Sequence, residues 1–242
     1  MKLYALHGNL QLASVWDSFE GRFSFGAEPV DLVKIDLWRY AKLPKITGFW
    51  SWAAYFNQQV LEKEPQLLMG YSLGGRLALH ALLLAPERWR GAVIIAADSG
   101  FSLEADKLSR IHHDEVWAKR FLSEDWQQLL KEWDAQGVFG GRANPHERFE
   151  ADFDRRAIAH YFRIFSKGRQ DDLLPALANY QGPPILFISG QEDPKFKAIG
   201  ERLAQRCSQL RHVSLAQAAH RVPWENPLAF EAVVEAFFAK ML

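Results

Sequence analysis

Ser72 sits in Gly70-Tyr71-Ser72-Leu73-Gly74, after the apolar run Gln66-Leu67-Leu68-Met69 and before the helical stretch Gly75-Arg76-Leu77-Ala78-Leu79-His80-Ala81-Leu82-Leu83-Leu84. A G-x-S-x-G segment between a strand and a helix places its serine on a sharp turn. Small residues two before and two after let neighbouring backbone pass close, and the hydroxyl stands at the helix N-terminus. Such a hydroxyl becomes a nucleophile or base only when a histidine takes its proton and an acid orients that histidine. On this kind of elbow the partners follow in the order serine, acid, histidine. Pro184-Ile185-Leu186-Phe187-Ile188-Ser189-Gly190 reads as a buried strand, and the turn after it carries Gln191-Glu192-Asp193. Arg211-His212-Val213-Ser214-Leu215 reads as the next strand, followed by Ala216-Gln217-Ala218-Ala219-His220. Ser72, Asp193 and His220 are the expected catalytic set, each just past the C-terminal end of a strand, where open α/β sheets place their sites. Asp98, after the apolar run Ala92-Val93-Ile94-Ile95-Ala96-Ala97, and Glu192 are rivals for the acid.

Negative charge developing at such a serine needs two backbone N–H donors. Leu73, directly after the serine, is one candidate, and Asn9, in the loop His7-Gly8-Asn9 after the first strand, is the other. His7 is out of order for the base and reads as shaping that loop. Arg76 lies four residues after Ser72, on the same helix face. Its helix is apolar enough to be central, so the guanidinium calls for a carboxylate from the protein or from a substrate. His112 and His113 are consecutive on an expected helix, where side chains diverge by about 100° and cannot share one ion. No metal site is expected.

The elements that must hold these residues follow from the alternation of patterns. Strands are expected near 2–6 and 30–35, over the apolar run 66–69 before the elbow, after Gly91, and near 184–189 and 210–215; helices near 12–23, 51–64, 195–206 and 225–240, with one after the elbow. Strands alternating with helices predict a mostly parallel sheet of about six strands with helices on both faces. The stretch 99–183 is several times longer than a crossover requires. It carries Trp117, Phe121, Trp126, Trp133, Phe139, Tyr161, Phe162 and Phe165, and reads as a helical cap inserted between two core segments, 1–98 and 184–242. Most of these aromatics are expected in the cap's own core.

At 242 residues, with 48% hydrophobic and 24% charged, the chain has the composition of a soluble globular protein. Lys and Arg (29) balance Asp and Glu (29), which gives no basic field to recruit nucleic acid or an anionic membrane. The single cysteine, Cys207, excludes an internal disulfide and reads as a small hydrophobe packed on a helix. No apolar run reaches membrane-spanning length, and the first one is too short for a secretory signal. A cytoplasmic protein acting on a small molecule is the expectation. Arginines at the elbow and through the cap favour an acidic substrate over a neutral ester.

Three segments carry a resemblance: Gly70-Tyr71-Ser72-Leu73-Gly74-Gly75-Arg76, Gly190-Gln191-Glu192-Asp193-Pro194-Lys195-Phe196, and His220 with Glu225-Asn226-Pro227. They resemble the 2-succinyl-6-hydroxy-2,4-cyclohexadiene-1-carboxylate (SHCHC) synthases, α/β-hydrolase-fold enzymes of menaquinone biosynthesis. In the cap, Arg110, Asp114, Ala118, Phe121, Trp133 and Phe139 fall at similar spacings. The resemblance implies an α/β-hydrolase fold with an inserted cap. It implies a lyase that eliminates pyruvate from a polycarboxylated cyclohexene, with the serine acting in proton removal and with no cofactor. It also implies that Tyr71, Arg76, Arg110 and Trp133 hold the substrate, with Arg163 or Arg169 as a further cap arginine. The chain departs from the family at Asp36-Leu37-Trp38-Arg39-Tyr40, where Pro-Gly-His-Gly is usual, and at Asn9, where phenylalanine is usual. Ala218-Ala219-His220 is similar instead to the carrier-protein methyl ester esterases. A carboxylesterase or thioesterase using the same three residues is thus the alternative, and a non-catalytic binding member of the fold a third reading.

Overall fold

The computed structural model describes residues 1–241. Its strands are β1 (Lys2–Leu6), β2 (Ser24–Phe25), β3 (Glu28–Pro29), β4 (Asp31–Ile35), β5 (Gln66–Tyr71), β6 (Trp89–Ile95), β7 (Ile185–Gly190) and β8 (Leu210–Leu215). Six of them form one sheet in the order β4-β1-β5-β6-β7-β8, every pair parallel. β5 and β7 are buried at every residue. That is why they read as unbroken apolar runs rather than alternating ones: a parallel strand covered on both faces has no solvent side. The chain steps from β1 out to the edge at β4, then crosses back to β5 and proceeds the other way. The β1–β5 pair is therefore the topological switch point, where a crevice opens beyond the strand ends.

The helices are α1 (Phe49–Gln59), α2 (Leu73–Leu84), α3 (Glu104–Ser123), α4 (Trp126–Asp134), α5 (Arg155–Ile164), α6 (Leu174–Ala178), α7 (Pro194–Arg206), α8 (Val222–Glu225) and α9 (Pro227–Phe238). Two depart from the sequence expectation. The helix expected over 12–23 is a 3₁₀ segment, Ala13–Phe19, because Glu20 is extended and Gly21 takes φ 68°. The helix expected to run to 64 stops at Gln59, where Val60 turns extended and buries in the core. The antiparallel pair β2–β3 was not anticipated, since two-residue strands carry no periodicity.

The segment between β6 and β7 builds a second apolar cluster. Trp117, Ala118 and Phe121 of α3, Trp126 and Leu129 of α4, and Ile158 and Phe162 of α5 pack there, together with Leu10 from the loop after β1. Phe165, Leu173, Leu177 and Tyr180 belong instead to the main core. The chain has thus returned to the sheet layer before the end of the expected cap. Cys207 lies just past α7 and is buried. No helix of the described residues is long and apolar enough to cross a membrane.

Candidate active site

Ser72 follows β5 directly and takes φ 52° and ψ −109°, a left-handed conformation costing about 1–3 kcal/mol in a non-glycine residue. The surroundings hold it there. Its N–H donates to the Ile95 carbonyl at 2.9 Å, and its own carbonyl accepts from the Arg76 N–H at 3.0 Å. The flanking glycines are required by close approach: a Cβ on Gly70 would strike the Gly74 carbonyl, and one on Gly74 the Leu6 carbonyl at the end of β1.

His220 Nε2 lies 3.2 Å from Ser72 Oγ, and His220 Nδ1 lies 2.9 Å from Asp193 Oδ2. Asp193 and His220 are both buried. The second Asp193 oxygen accepts the Phe196 N–H at 3.2 Å, so the start of α7 fixes the carboxylate. With Nδ1–H donated to that carboxylate, Nε2 is left to accept the serine proton. Burial holds the His220 pKa below its ordinary value, and the Asp193 carboxylate opposes that shift. Glu225 steadies the turn that carries His220, accepting the Ala219 N–H at 2.6 Å. The two rival acids are engaged elsewhere. Asp98 pairs with Lys167 Nζ at 2.6 Å, and Glu192 pairs with Arg142 at 2.6 Å.

The loop after β1 is braced from below. His7 is fully buried; its Nε2 accepts the Leu37 N–H at 3.0 Å, so Nδ1 carries the hydrogen and donates to the Gly8 carbonyl at 2.8 Å. Gln11 accepts the Gly8 N–H at 2.8 Å, and the Trp38 indole donates to the Gln11 carbonyl at 2.7 Å. The divergent segment 36–40 thus supports the loop that presents Asn9 to the cleft. Leu73, the first residue of α2, has an N–H with no partner inside its helix.

His7 also makes a prediction for stability. Burial pushes its pKa from 6.5 down to about 4, and the same holds for His80 in α2. The unfolded chain takes up these protons as pH falls through about 6.5, the native chain only near 4, so stability is full above that window and falls across it. Each histidine is expected to remove on the order of 3 kcal/mol by pH 4. Urea unfolding between pH 7 and pH 4.5 measures this; His7→Gln, which keeps an acceptor and a donor, should flatten the dependence, and an unchanged slope would refute it.

Above Ser72 opens a cleft of about 540 Å³. Asn9, Leu73, Tyr71, Arg76, Arg110, Trp133, Asp193 and His220 all line it. Tyr71 is buried, with its ring against His220 (5.4 Å between centroids) and Trp224 (5.0 Å). Trp133 packs edge-on to Trp117 and Phe162. Among the described residues Arg76 has no carboxylate within ion-pair distance; its guanidinium donates to the Phe165 carbonyl at 2.9 Å. Burial pushes its pKa down to about 10, the direction expected of a desolvated cation lacking a counter-charge. Arg110 is held by Asp114 through two bonds from Nε, at 2.8 and 2.9 Å.

Arg163 is not brought to the cleft. It is paired with Glu115 at 2.8 Å on the outer side of α5, and Arg169 does not line the cleft either. The late-cap cation that does reach it is Lys167, which burial pushes down to about 8. Its sequence neighbourhood carried no signal for this. Arg148 and Arg221 also line the cleft; Arg221 directly follows His220, a position that could have drawn notice. No group of three or more His, Cys, Asp and Glu among the described residues is placed to hold a metal ion.

A six-stranded parallel sheet with a serine elbow at its switch point defines the class, and a family model for the alpha/beta hydrolase fold matches residues 46–227. The chain belongs to that family. The 2-succinyl-6-hydroxy-2,4-cyclohexadiene-1-carboxylate synthase of Yersinia pseudotuberculosis serotype O:3 is 34% identical over 179 residues, 72% of this chain and 63% of that protein. The chain thus spans less than two thirds of that relative's length. A Haemophilus influenzae protein provisionally given the same name is 27% identical over 249 residues, 98% of this chain and 97% of its own. The structure of MenH from S. aureus superposes with a TM-score of 0.87 at 18% identity, covering 100% of this chain and 94% of that one.

Proposed function

We propose that this chain is a lyase of menaquinone biosynthesis that eliminates pyruvate from a polycarboxylated cyclohexene to give SHCHC, with Ser72, His220 and Asp193 as its catalytic triad. The observation that carries this reading is Arg76, one helical turn from Ser72 and lining the cleft without a protein carboxylate. A desolvated guanidinium in that position is complementary to an anionic substrate and has no use in a neutral ester. The similarity to proteins named SHCHC synthase supports the same reaction.

In this reading His220 Nε2 takes the Ser72 hydroxyl proton while Ser72 Oγ takes a proton from a ring carbon. The C–H electron pair becomes a ring double bond, and the carbon–oxygen bond to the three-carbon leaving group breaks. That group departs as the enolate of pyruvate and recovers a proton from His220. The Asn9 and Leu73 N–H groups stabilise negative charge as it develops. Arg76, Arg110, Tyr71 and Trp133 hold the ring and its carboxylates in register with Ser72.

The test is pyruvate release by the purified chain from the pathway intermediate, beside hydrolysis of short p-nitrophenyl esters. Dominant pyruvate release supports the lyase; fast ester turnover with none would make the chain a serine esterase or thioesterase. Arg76→Ala should lower kcat/KM on the anionic substrate by a factor corresponding to about 2–5 kcal/mol, and on a neutral ester far less. Equal losses on both would make Arg76 a structural residue.

A further inference from the structure

Four of the cations lining the cleft are ion-paired, while Arg76 and Lys195 have no carboxylate within ion-pair distance among the described residues. Lys167 has Asp98 and Arg110 has Asp114, one to one. Arg148 and Arg221 share a single carboxylate, that of Asp134 at the end of α4. Arg221 Nη2 lies 2.5 Å from Asp134 Oδ1, and Arg148 bonds the other oxygen. Both arginine side chains are more than nine-tenths buried, at 7% and 3% exposure. Among the described residues neither has a second acid within ion-pair distance. Two desolvated guanidinium groups thus share one carboxylate at ion-pair distance, with Glu225, bonded to the Ala219 N–H, as a more distant counter-charge to Arg221, a costly arrangement that an incoming anion would relieve.

The remaining side-chain contacts of the two arginines bring no further acid to ion-pair distance. Arg221 Nη1 donates to the Arg142 carbonyl at 3.2 Å, and its guanidinium lies over the Phe139 ring at 3.8 Å. Arg148 makes one side-chain bond, to Asp134, so the rest of its fork is without a protein partner among the described residues. Arg148 and Arg221 sit near enough to repel each other, as Arg76 and Arg110 do. The cleft therefore carries two cationic groups: one built on α2 and α3 around Arg76 and Arg110, the other beside His220 around Asp134.

We propose that Arg148 and Arg221, bridged by Asp134, form a second carboxylate-binding subsite at the His220 side of the cleft, so that the ligand bears acidic groups at two separated positions. This deepens the reading of the cleft as a polycarboxylate site and rests on it. Asp134 acts as an internal occupant: it bonds one fork through each carboxylate oxygen and competes with the ligand for them. The subsite selects dicarboxylates over monocarboxylates of the same length, because only a dicarboxylate reaches both cationic groups.

Calorimetric titration of the full chain with linear α,ω-dicarboxylates from succinate to suberate, and with monocarboxylates of matching length, tests this. The best-fitting dicarboxylate should bind at least about tenfold more tightly than its monocarboxylate partner. Arg148→Gln and Arg221→Gln should each reduce that advantage to roughly twofold or less. Asp134→Asn should move the other way and raise dicarboxylate affinity several-fold, since it removes the competitor and leaves both guanidinium groups. A purely structural ion pair predicts weaker binding in all three variants, so weaker binding in Asp134→Asn overturns the subsite, even if an arginine variant fails to fold. Absence of any dicarboxylate advantage in the parent chain also overturns it. Pyruvate release with dicarboxylate binding unchanged in Arg148→Gln would remove the subsite and keep the lyase. An advantage lost in Arg148→Gln, with no pyruvate released by the parent, would do the reverse.

Discussion

Ser72→Ala is expected to lower turnover by about 10⁴-fold or more, and adding His220→Ala should cost scarcely anything further. The reason is that, in the proposed mechanism, the two groups act as one proton-transfer unit. Ser72 Oγ is 3.2 Å from His220 Nε2, and neither moves a proton usefully without the other. Alanine at position 72 keeps the N–H donated to Ile95 and the carbonyl bonded by Arg76, both of which are backbone contacts, so the elbow should survive. Single-turnover kinetics on the three proteins, with melting curves alongside, make the measurement. Near-normal turnover in Ser72→Ala, or losses that multiply in the double variant, would displace the elbow as the catalytic centre.

Asp193→Asn should lower turnover by roughly 10⁴-fold while the protein remains folded. An asparagine amide can present its NH₂ to His220 Nδ1, which favours the tautomer with the proton on Nε2 and leaves nothing to accept from Ser72. The amide also cannot stabilise the imidazolium that forms as the proton moves. Asp98→Asn is the natural control, since Asp98 follows a neighbouring buried strand. Its carboxylate pairs with Lys167 at 2.6 Å and also accepts the Gly100 N–H at 3.1 Å. Losing it strips a buried lysine of its partner, so the cost should fall on stability and substrate affinity more than on the chemical step. Turnover and melting temperature of both variants, measured together, decide the matter; the reverse ranking in turnover would make Asp98 the acid.

Much of the frame was legible because its signals are local. Parallel strands buried on both faces appear as short apolar runs, and β5 and β7 lie within a residue or two of where those runs placed them, while β6 begins three residues before its run. The elbow is written in five consecutive residues, since the close passage of Gly74 against β1 excludes any Cβ. Boundaries were less legible where a single extended residue ends a helix, as at Glu20 and Val60.

What only the tertiary structure decided is which charged side chain meets which. The cap brings Lys167 to Asp98, 69 positions away, and Asp134 to Arg221, 87 positions away, while Arg163 turns outward to Glu115. Each partner is chosen by how α3, α4 and α5 close over the end of the sheet, and that closure depends on apolar packing among Trp117, Phe121, Trp126 and Phe162. A cap rich in arginine follows from the sequence alone. An arginine's direction follows from the helix face it occupies once the aromatic core has been buried, and from the nearest acid in that arrangement. Residue type and spacing thus determined the sheet, the elbow and the kinds of group available; long-range packing decided that Arg76 stands without a protein carboxylate beside Ser72, because every nearby acid had been drawn to another cation.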